Sequence, residues 1–394
     1  MNILFVITYF HRRGQPVASG FLTYVHRITQ VLLSLGHKPI ILACGKKNDR
    51  WVENGVEVIQ IKGKYSKFPN KNVAGIVNCL KKSYNLNQEI KRLQSEMKID
   101  IIQFDSTGGI ALLYYGKIPA VMRLSLYSKD YRFADEISSP KYLMAMAWLE
   151  SCASRRCNAV FAPSKVIADA FSQDAKRKVY VIETPYVDDV INYDDYYVNK
   201  YLQGKKFVLF FGLLAMRKGI LVIEKCLERF LEKNKEYFFV FIGKSFSYNG
   251  ETAIKRIKKS AGAYKDRVII WPAISQKQLY PVIQKADFIV LPSLRDNLPN
   301  ACIEAMYFGK VVIGTNGASF EQLIEHEVSG LLCRVGDSDD LLEKMQTAVW
   351  LNEEQKMQIG RNAKKRVEQL RPEVVGKRLL SFYSHVIEAA KKDE

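Results

Sequence analysis

Short apolar runs alternate with amphipathic stretches along nearly the whole chain. "NILFVITYF" at the start is rich in β-branched and aromatic residues and reads as a buried strand. "FLTYVHRITQVLLSLG" then repeats apolar residues three and four apart and closes at Gly36, the pattern of a helix ended by glycine. "KPIILAC" and "VEVIQI" are strand-like. From residue 71 a helical period returns in Val73, Val77, Leu80 and Tyr84, then in Leu86, Ile90, Leu93 and Met97. "IDIIQF" and "PAVMRLSL" read as strands, "YLMAMAWLESCASRR" as a helix, and "AVFAPS" and "KVYVIET" as strands again.

The texture changes at residues 188–206, which are polar, acidic and tyrosine-rich without a sustained period, as in a linker. A second alternation follows, with strands "FVLFFG", "YFFVFIG", "RVIIWP", "DFIVLPS", "KVVIGT" and "GLLCR" separated by helical segments. Strand and helix in strict alternation predict an α/β protein of two Rossmann-like, doubly wound parallel-sheet domains. The expected boundaries are 1–190, a linker at 191–206, 207–371, and a C-terminal helix at 372–394. That helix begins at Pro372, a residue favoured in the first helical turn, and can pack back on the first domain. Ligands of such sheets gather beyond the carboxyl ends of the strands, so the expected site is a cleft to which both domains offer those ends.

Composition fits this picture. At 394 residues the chain exceeds one ordinary core, and 48% apolar with 25% charged residues is the make-up of a folded soluble protein. No apolar run reaches the 18 or so residues needed to cross a bilayer. The opening segment lacks the basic leader and small-residue cleavage site of a secretory signal, which points to a cytoplasmic protein. Seven cysteines, odd in number and set in apolar segments, read as reduced core thiols.

A formal charge of +18 adds something new, a polyanionic partner. Residues 62–98 hold nine basic residues against two acids, Glu89 and Glu96. A basic amphipathic helix of this kind can lie on an anionic membrane or dock on a sheet with its lysines outward. No nucleic-acid-binding motif is present, so no nucleic-acid partner is expected.

Candidate chemistry centres on "LPSLRDNLPNACIEAMYFGKVVIGTNG", residues 291–317. Asp296 and Asn297 precede a short helix, where main-chain N–H groups and the positive dipole end attract anions. Glu304 sits inside that helix among apolar neighbours. By itself the segment also fits a surface glutamate and a capping aspartate. "FFGLLAMRKG", residues 210–219, turns after the second domain's first strand and carries Arg217 and Lys218. Cations there can neutralise a diphosphate as a bond to it breaks, or simply face solvent. "RRGQPVASGF" brings Ser19 and Gly20 to a helix start, where the missing Cβ lets a ligand approach the backbone.

Taken in this order and spacing, these segments resemble the retaining GT-B glycosyltransferases of family 4 (glycosyl transferases group 1) over nearly the whole chain. "SGFLTYVHRITQVLLSLGHKPIIL" is similar to the family's glycine loop and first helix, and "NAVFAPSKVIADAF" and "VYVIETPYVDD" to its mid-chain landmarks. The segment at 210–219 lies at its Gly-Arg-Leu…Lys-Gly motif, and that at 291–317 at its acid-seven-acid motif.

The resemblance implies that Glu304 grips the ribose hydroxyls of a sugar nucleotide and that Asp296 reaches the donor sugar. Main-chain groups of Asn297, Leu298, Pro299 and Asn300 would hold sugar or phosphate oxygens. Lys218, with Arg217 beside it, would stabilise the departing diphosphate, and Gly20 would admit the donor. It implies retention, no metal and no cofactor, the sugar nucleotide being a co-substrate. The acceptor would be a glycan or lipid-linked hydroxyl, as in bacterial O-antigen, capsule or lipopolysaccharide assembly, with the enzyme peripheral at the inner membrane face through residues 62–98.

Three departures stand out. Asp296 replaces the family's usual glutamate, Leu213 its arginine, and Ser125 its histidine. Losing one fixed cation on a diphosphate costs about 3 kcal/mol in a desolvated site, by analogy with one oxyanion donor. Arg217, Arg12 and Arg13 are the cations placed to replace it. Arg123, Ser125 and Tyr127 near the end of "PAVMRLSL", with His11 and Arg12 after the first strand, are candidates for the acceptor side. The departures keep two alternatives open, a catalytically silent GT-B relative acting as a binding or assembly partner, and a GT-B sugar-nucleotide epimerase.

Overall fold

The computed structural model describes residues 1–11, 20–63, 66, 69–125, 127–129, 139–188 and 190–392. They form two compact units. One takes the chain up to Tyr186 and again from Leu370, and the other takes Val187–Gln369.

The first unit is built on an eight-stranded sheet of β1 (Asn2–Ile7), β2 (Lys38–Gly45), β3 (Asp49–Glu53), β4 (Val56–Lys62), β5 (Ile101–Asp105), β6 (Ala120–Arg123), β7 (Ala159–Ala162) and β8 (Val179–Val181). The strand order is β3-β4-β2-β1-β5-β6-β7-β8. All neighbours are parallel except β3 and β4. That hairpin turns at Asn54–Gly55, both at positive φ (49° and 80°), as an Asn-Gly hairpin turn requires. The linear pattern of apolar runs did not reveal β3, whose residues alternate between half-buried and exposed at the sheet edge.

Helices cover both faces. α1 (Gly20–Ser34) lies on one, while α2 (Lys71–Glu96), α3 (Pro140–Ser154) and α4 (Lys165–Ala175) share the other. Asn70 starts α2 by accepting bonds from the main-chain N–H groups of Asn72 and Val73. Its second half buries Leu86, Ile90 and Leu93, whereas no residue before Ser83 is buried.

The second unit has a six-stranded, wholly parallel sheet of β9 (Lys206–Phe211), β10 (Tyr237–Ile242), β13 (Val268–Trp271), β14 (Phe288–Val290), β15 (Val312–Asn316) and β16 (Leu331–Arg334). Its order is β13-β10-β9-β14-β15-β16. A small hairpin, β11 (Ser247–Tyr248) and β12 (Glu251–Thr252), stands apart from it. The helices are α5 (Ile220–Lys233), α6 (Ala253–Ser260), α7 (Gln276–Lys285), α8 (Asn300–Tyr307), α9 (Ser338–Trp350) and α10 (Glu353–Glu368).

The last helix, α11 (Pro372–Lys392), belongs to the first unit. Val375, Leu379, Phe382, Tyr383 and Val386 enter the core shared with α1. Gly376 allows the close approach, since a Cβ there would come within 2.6 Å of Val31. The Tyr383 hydroxyl donates to Gln103 of β5 at 2.5 Å.

Candidate functional site

The segments with candidate chemistry in the second unit follow β9 and β14, adjacent strands of the sheet centre. Two glycines hold their exits close. A Cβ on Gly243, after β10, would lie 1.6 Å from the carbonyl oxygen of Gly212, after β9. Gly219, at φ +82°, starts α5, and a Cβ there would lie 1.9 Å from the carbonyl oxygen of Pro292, after β14. No other residue type fits these contacts without moving a strand exit.

The glycine contact places a short 3-10 turn, Met216–Lys218, beside the loop that leaves β14. The main-chain N–H of Leu294 donates to the Arg217 carbonyl at 2.8 Å. The Lys218 ammonium then meets the Asp296 carboxylate in an ion pair, with side chains only 20% and 12% exposed. The same carboxylate oxygen faces Ser293 Oγ at 3.4 Å, and the other accepts the N–H of Asn297 at 3.0 Å. From the far side Ser319 Oγ donates to the Asp296 carbonyl at 2.8 Å, so the loop is pinned at both its main chain and its side chain. Ser319 itself is at φ +78°.

Asn297, Leu298 and Pro299 lead into α8, which starts at Asn300. Pro299 supplies no side-chain cap, so the helix start presents main-chain groups and the dipole end without a competing carboxylate or hydroxyl at the cap. Leu298 is buried, and Asn297 and Asn300 are half-buried. Within α8, Cys302, Ile303, Ala305 and Met306 face the core. Glu304 is the half-buried polar position among them, and its carboxylate accepts a bond from Gln276 Nε2, at the start of α7, at 3.2 Å.

The structure therefore joins Lys218 directly to Asp296 and sets Glu304 one turn into the helix that Asp296 introduces. Arg217 is half-buried beside Lys218, and Leu213 is likewise half-buried. Sequence reasoning did not anticipate Gln276, Ser293, Ser319 or Gly243. The Gln276 and Ser319 partners come from distant segments, while the glycine after "YFFVFI" was a visible signal of a close approach.

At the corresponding edge of the first unit, Gly20 is exposed at the start of α1, and His11 is exposed with its ring 5.4 Å from Tyr9. Arg12, Arg13 and Ser19 lie outside the described residues. Arg123, at the end of β6, is 3% exposed. Its guanidinium donates to Ser125 Oγ at 2.9 Å and Thr184 Oγ1 at 3.2 Å, and lies 3.6 Å from the centre of the Tyr24 ring. Burial holds its pKa below the ordinary arginine value, and Tyr24 and Asp105 pull it back up. Burial likewise pushes the Asp105 carboxyl up, opposed by Thr107, Ser125 and Arg123. Tyr127 is 3% exposed, bonds Asp174 and packs edge-on to Phe171, which is a core position. Arg123 and Tyr127 thus support the sheet edge from inside, with half-buried Ser125 the outermost of the three.

Two parallel sheets sandwiched by helices, with strand exits carrying the polar residues, define a GT-B fold. Sucrose-phosphate synthase from Thermosynechococcus elongatus has the same fold, with a TM-score of 0.75 at 17% identity over 99% of this chain and 100% of its own. Residues 198–366, most of the second unit, match the model of the family described as glycosyl transferases group 1. YtcC of Bacillus subtilis is 27% identical over 201 residues, 50% of this chain and 49% of YtcC. The N,N'-diacetylbacillosaminyl-diphospho-undecaprenol alpha-1,3-N-acetylgalactosaminyltransferase of Campylobacter jejuni is 24% identical over 113 residues, 29% of this chain and 30% of that enzyme. The chain thus spans half or less of the length of these curated relatives.

Proposed function

We propose that the protein is a glycosyltransferase that moves a sugar from a nucleotide-diphosphate donor to a hydroxyl of a lipid-linked glycan in bacterial surface-polysaccharide assembly. In this reading transfer retains the anomeric configuration and needs no metal ion. The observation that carries it is the Lys218–Asp296 pair at the carboxyl edge of the second sheet, beside the start of α8, inside the segment matched by the family model.

A half-buried ammonium is strongly attracted to a diphosphate, because fewer waters screen it. Asp296 holds Lys218 at the turn until the donor arrives, and it offers a carboxylate for sugar hydroxyls once the phosphates take the cation. Glu304 accepts the two ribose O–H groups, since each carboxylate oxygen has two lone pairs and the bond from Gln276 takes only one of them. Main-chain N–H groups at the start of α8 take the remaining anionic oxygens. The acceptor hydroxyl attacks the face that the diphosphate leaves, and the departing phosphate accepts its proton. The Campylobacter relative, whose name gives a diphospho-undecaprenol-linked sugar, supports a lipid-borne acceptor.

Calorimetry with a panel of UDP-, GDP- and ADP-sugars, followed by assay of released nucleotide, tests the reading. Lys218→Ala and Glu304→Ala are each expected to lower transfer by about a hundredfold or more while the circular dichroism spectrum is kept. Turnover at the wild-type rate in either variant would refute the assignment. Failure of the native protein to bind any donor would favour a silent GT-B relative.

A further inference from the structure

On one face of the first unit, two neighbouring helices turn apolar side chains away from the sheet. α2 and α3 both pack on that face, through Leu86, Ile90 and Leu93 of the one and Ala147 and Ala153 of the other. They touch near their starts, where Asn72 Nδ2 donates to Ser139 Oγ at 3.2 Å and Tyr142 lies against Gly75. The outward side of α3 presents Met144 and Trp148, one turn apart, 64% and 65% exposed. On α2, Val73, Leu80 and Tyr84 are 46%, 37% and 56% exposed, on the side of the helix opposite Gly75 and Cys79.

Charge frames these side chains with one sign. Lys71 and Lys81 are exposed on α2, and Lys141, Arg155 and Arg156 are exposed at the two ends of α3. Arg156 also lies 4.1 Å above the ring of Tyr115, itself 67% exposed. Residues 71–84 contain no acid, and the one acid of 139–156, Glu150, is 1% exposed and bonded to Ser128.

We propose that this face docks on an anionic membrane surface, with Met144 and Trp148 entering the headgroup layer and the surrounding cations meeting lipid phosphates. Tryptophan is favoured at that depth, where its body is apolar and its N–H stays wet. A protein partner would call for acids among the cations or for an apolar centre free of lysine, whereas many flexible cations suit a fluid layer of phosphates. The inference rests on the reading of a lipid-borne acceptor, and it changes the expected surface. The later half of residues 62–98 is docked in the core, with Glu89 and Glu96 paired to Arg92. α3, which the charge run did not include, supplies the most exposed apolar side chains.

The test is co-sedimentation of the full chain with vesicles of phosphatidylglycerol and phosphatidylcholine, and with phosphatidylcholine alone, without donor or acceptor. Retention on the anionic vesicles is expected, falling by about tenfold or more with Met144→Ser plus Trp148→Ser, with Lys81→Gln plus Lys141→Gln, or in high salt. Acyl chains brominated near the headgroup should quench the native protein more than Trp148→Phe, a comparison that does not depend on the serine variant folding. Donor calorimetry on the variants checks their second unit. No retention on anionic vesicles, or equal quenching with and without Trp148, overturns the proposal. So does a concentration-dependent dimer abolished by Trp148→Ser, which would give the face to a second copy of the chain. An inactive enzyme that still binds these vesicles would sink the transferase reading and leave this one standing.

Discussion

Gly219 shows how far a single position governs the candidate site. It combines a left-handed backbone with a Cβ position 1.9 Å from the Pro292 carbonyl oxygen. The backbone strain alone costs a side chain about 1–2 kcal/mol, and the clash also pushes away the loop that holds Asp296. Gly219→Ala is therefore expected to lower the melting temperature and to weaken donor binding together. A variant with unchanged Tm and unchanged calorimetry would contradict that coupling. The glycine was legible in "RKG" as a helix start. The partner that makes it indispensable, Pro292, follows the neighbouring strand in the sheet, far along the chain, and left no trace in the local sequence.

Lys310 offers a pH test at the same scale. It donates to the Ala286 carbonyl at 2.8 Å, and burial lowers its pKa to about 8. The unfolded chain keeps that proton up to about pH 10.4. Between the two values the unfolded state binds more protons, so this lysine makes the fold more stable as pH rises. Below pH 8 its burial penalty is fully present. Relative to Lys310→Met, the native protein should gain up to about 1 kcal/mol per pH unit between pH 8 and 10 in urea unfolding. A constant difference between the two proteins would show that Lys310 titrates normally.

Among elements, α11 was readable in its start at Pro372 and in its period, whereas its destination was open. Apolar spacing says that a helix has a face to bury but not which core receives it. The receiving surface is set by Gly376 against Val31 and by the hydroxyl of Tyr383 on Gln103. Leu379 is 1% exposed in that contact, so Leu379→Ala should destabilise the first unit by about 2–5 kcal/mol. Urea unfolding followed by near-ultraviolet signals would measure it, and a loss below about 1 kcal/mol would mean that the helix is peripheral. The same limit applied to α2. Its period was continuous in sequence, but the sheet covers only the later turns, and the earlier turns keep their stripe outward.

For the whole molecule, the alternation of strands and helices was sufficient to forecast two parallel sheets, because each run of five or six buried residues has few other ways to satisfy its backbone. The β3 edge strand escaped because half-exposed residues lack that constraint. Of the candidate site, spacing singled out Lys218, Asp296 and Glu304 as candidates, whereas the pairing of Lys218 with Asp296 was not legible, since 78 residues separate them. Arg123 and Tyr127, both buried, show a related limit. A cation or phenol at a strand end looks the same in sequence whether it points out to a ligand or in beneath the edge.

The route of the chain between the units has its own corollary. It leaves the first unit after Tyr186 and re-enters at Leu370, and these two residues are hydrogen-bonded to each other, N–H to carbonyl, at 2.8 Å. The second unit is thus an insert within a host whose own ends already meet. Residues 187–369 can therefore be bridged by a few glycines and serines without stretching the host backbone, and cooperative urea unfolding of that shortened chain is the expected outcome. A cut placed between the units at one crossing alone would instead strand α11 on the wrong fragment.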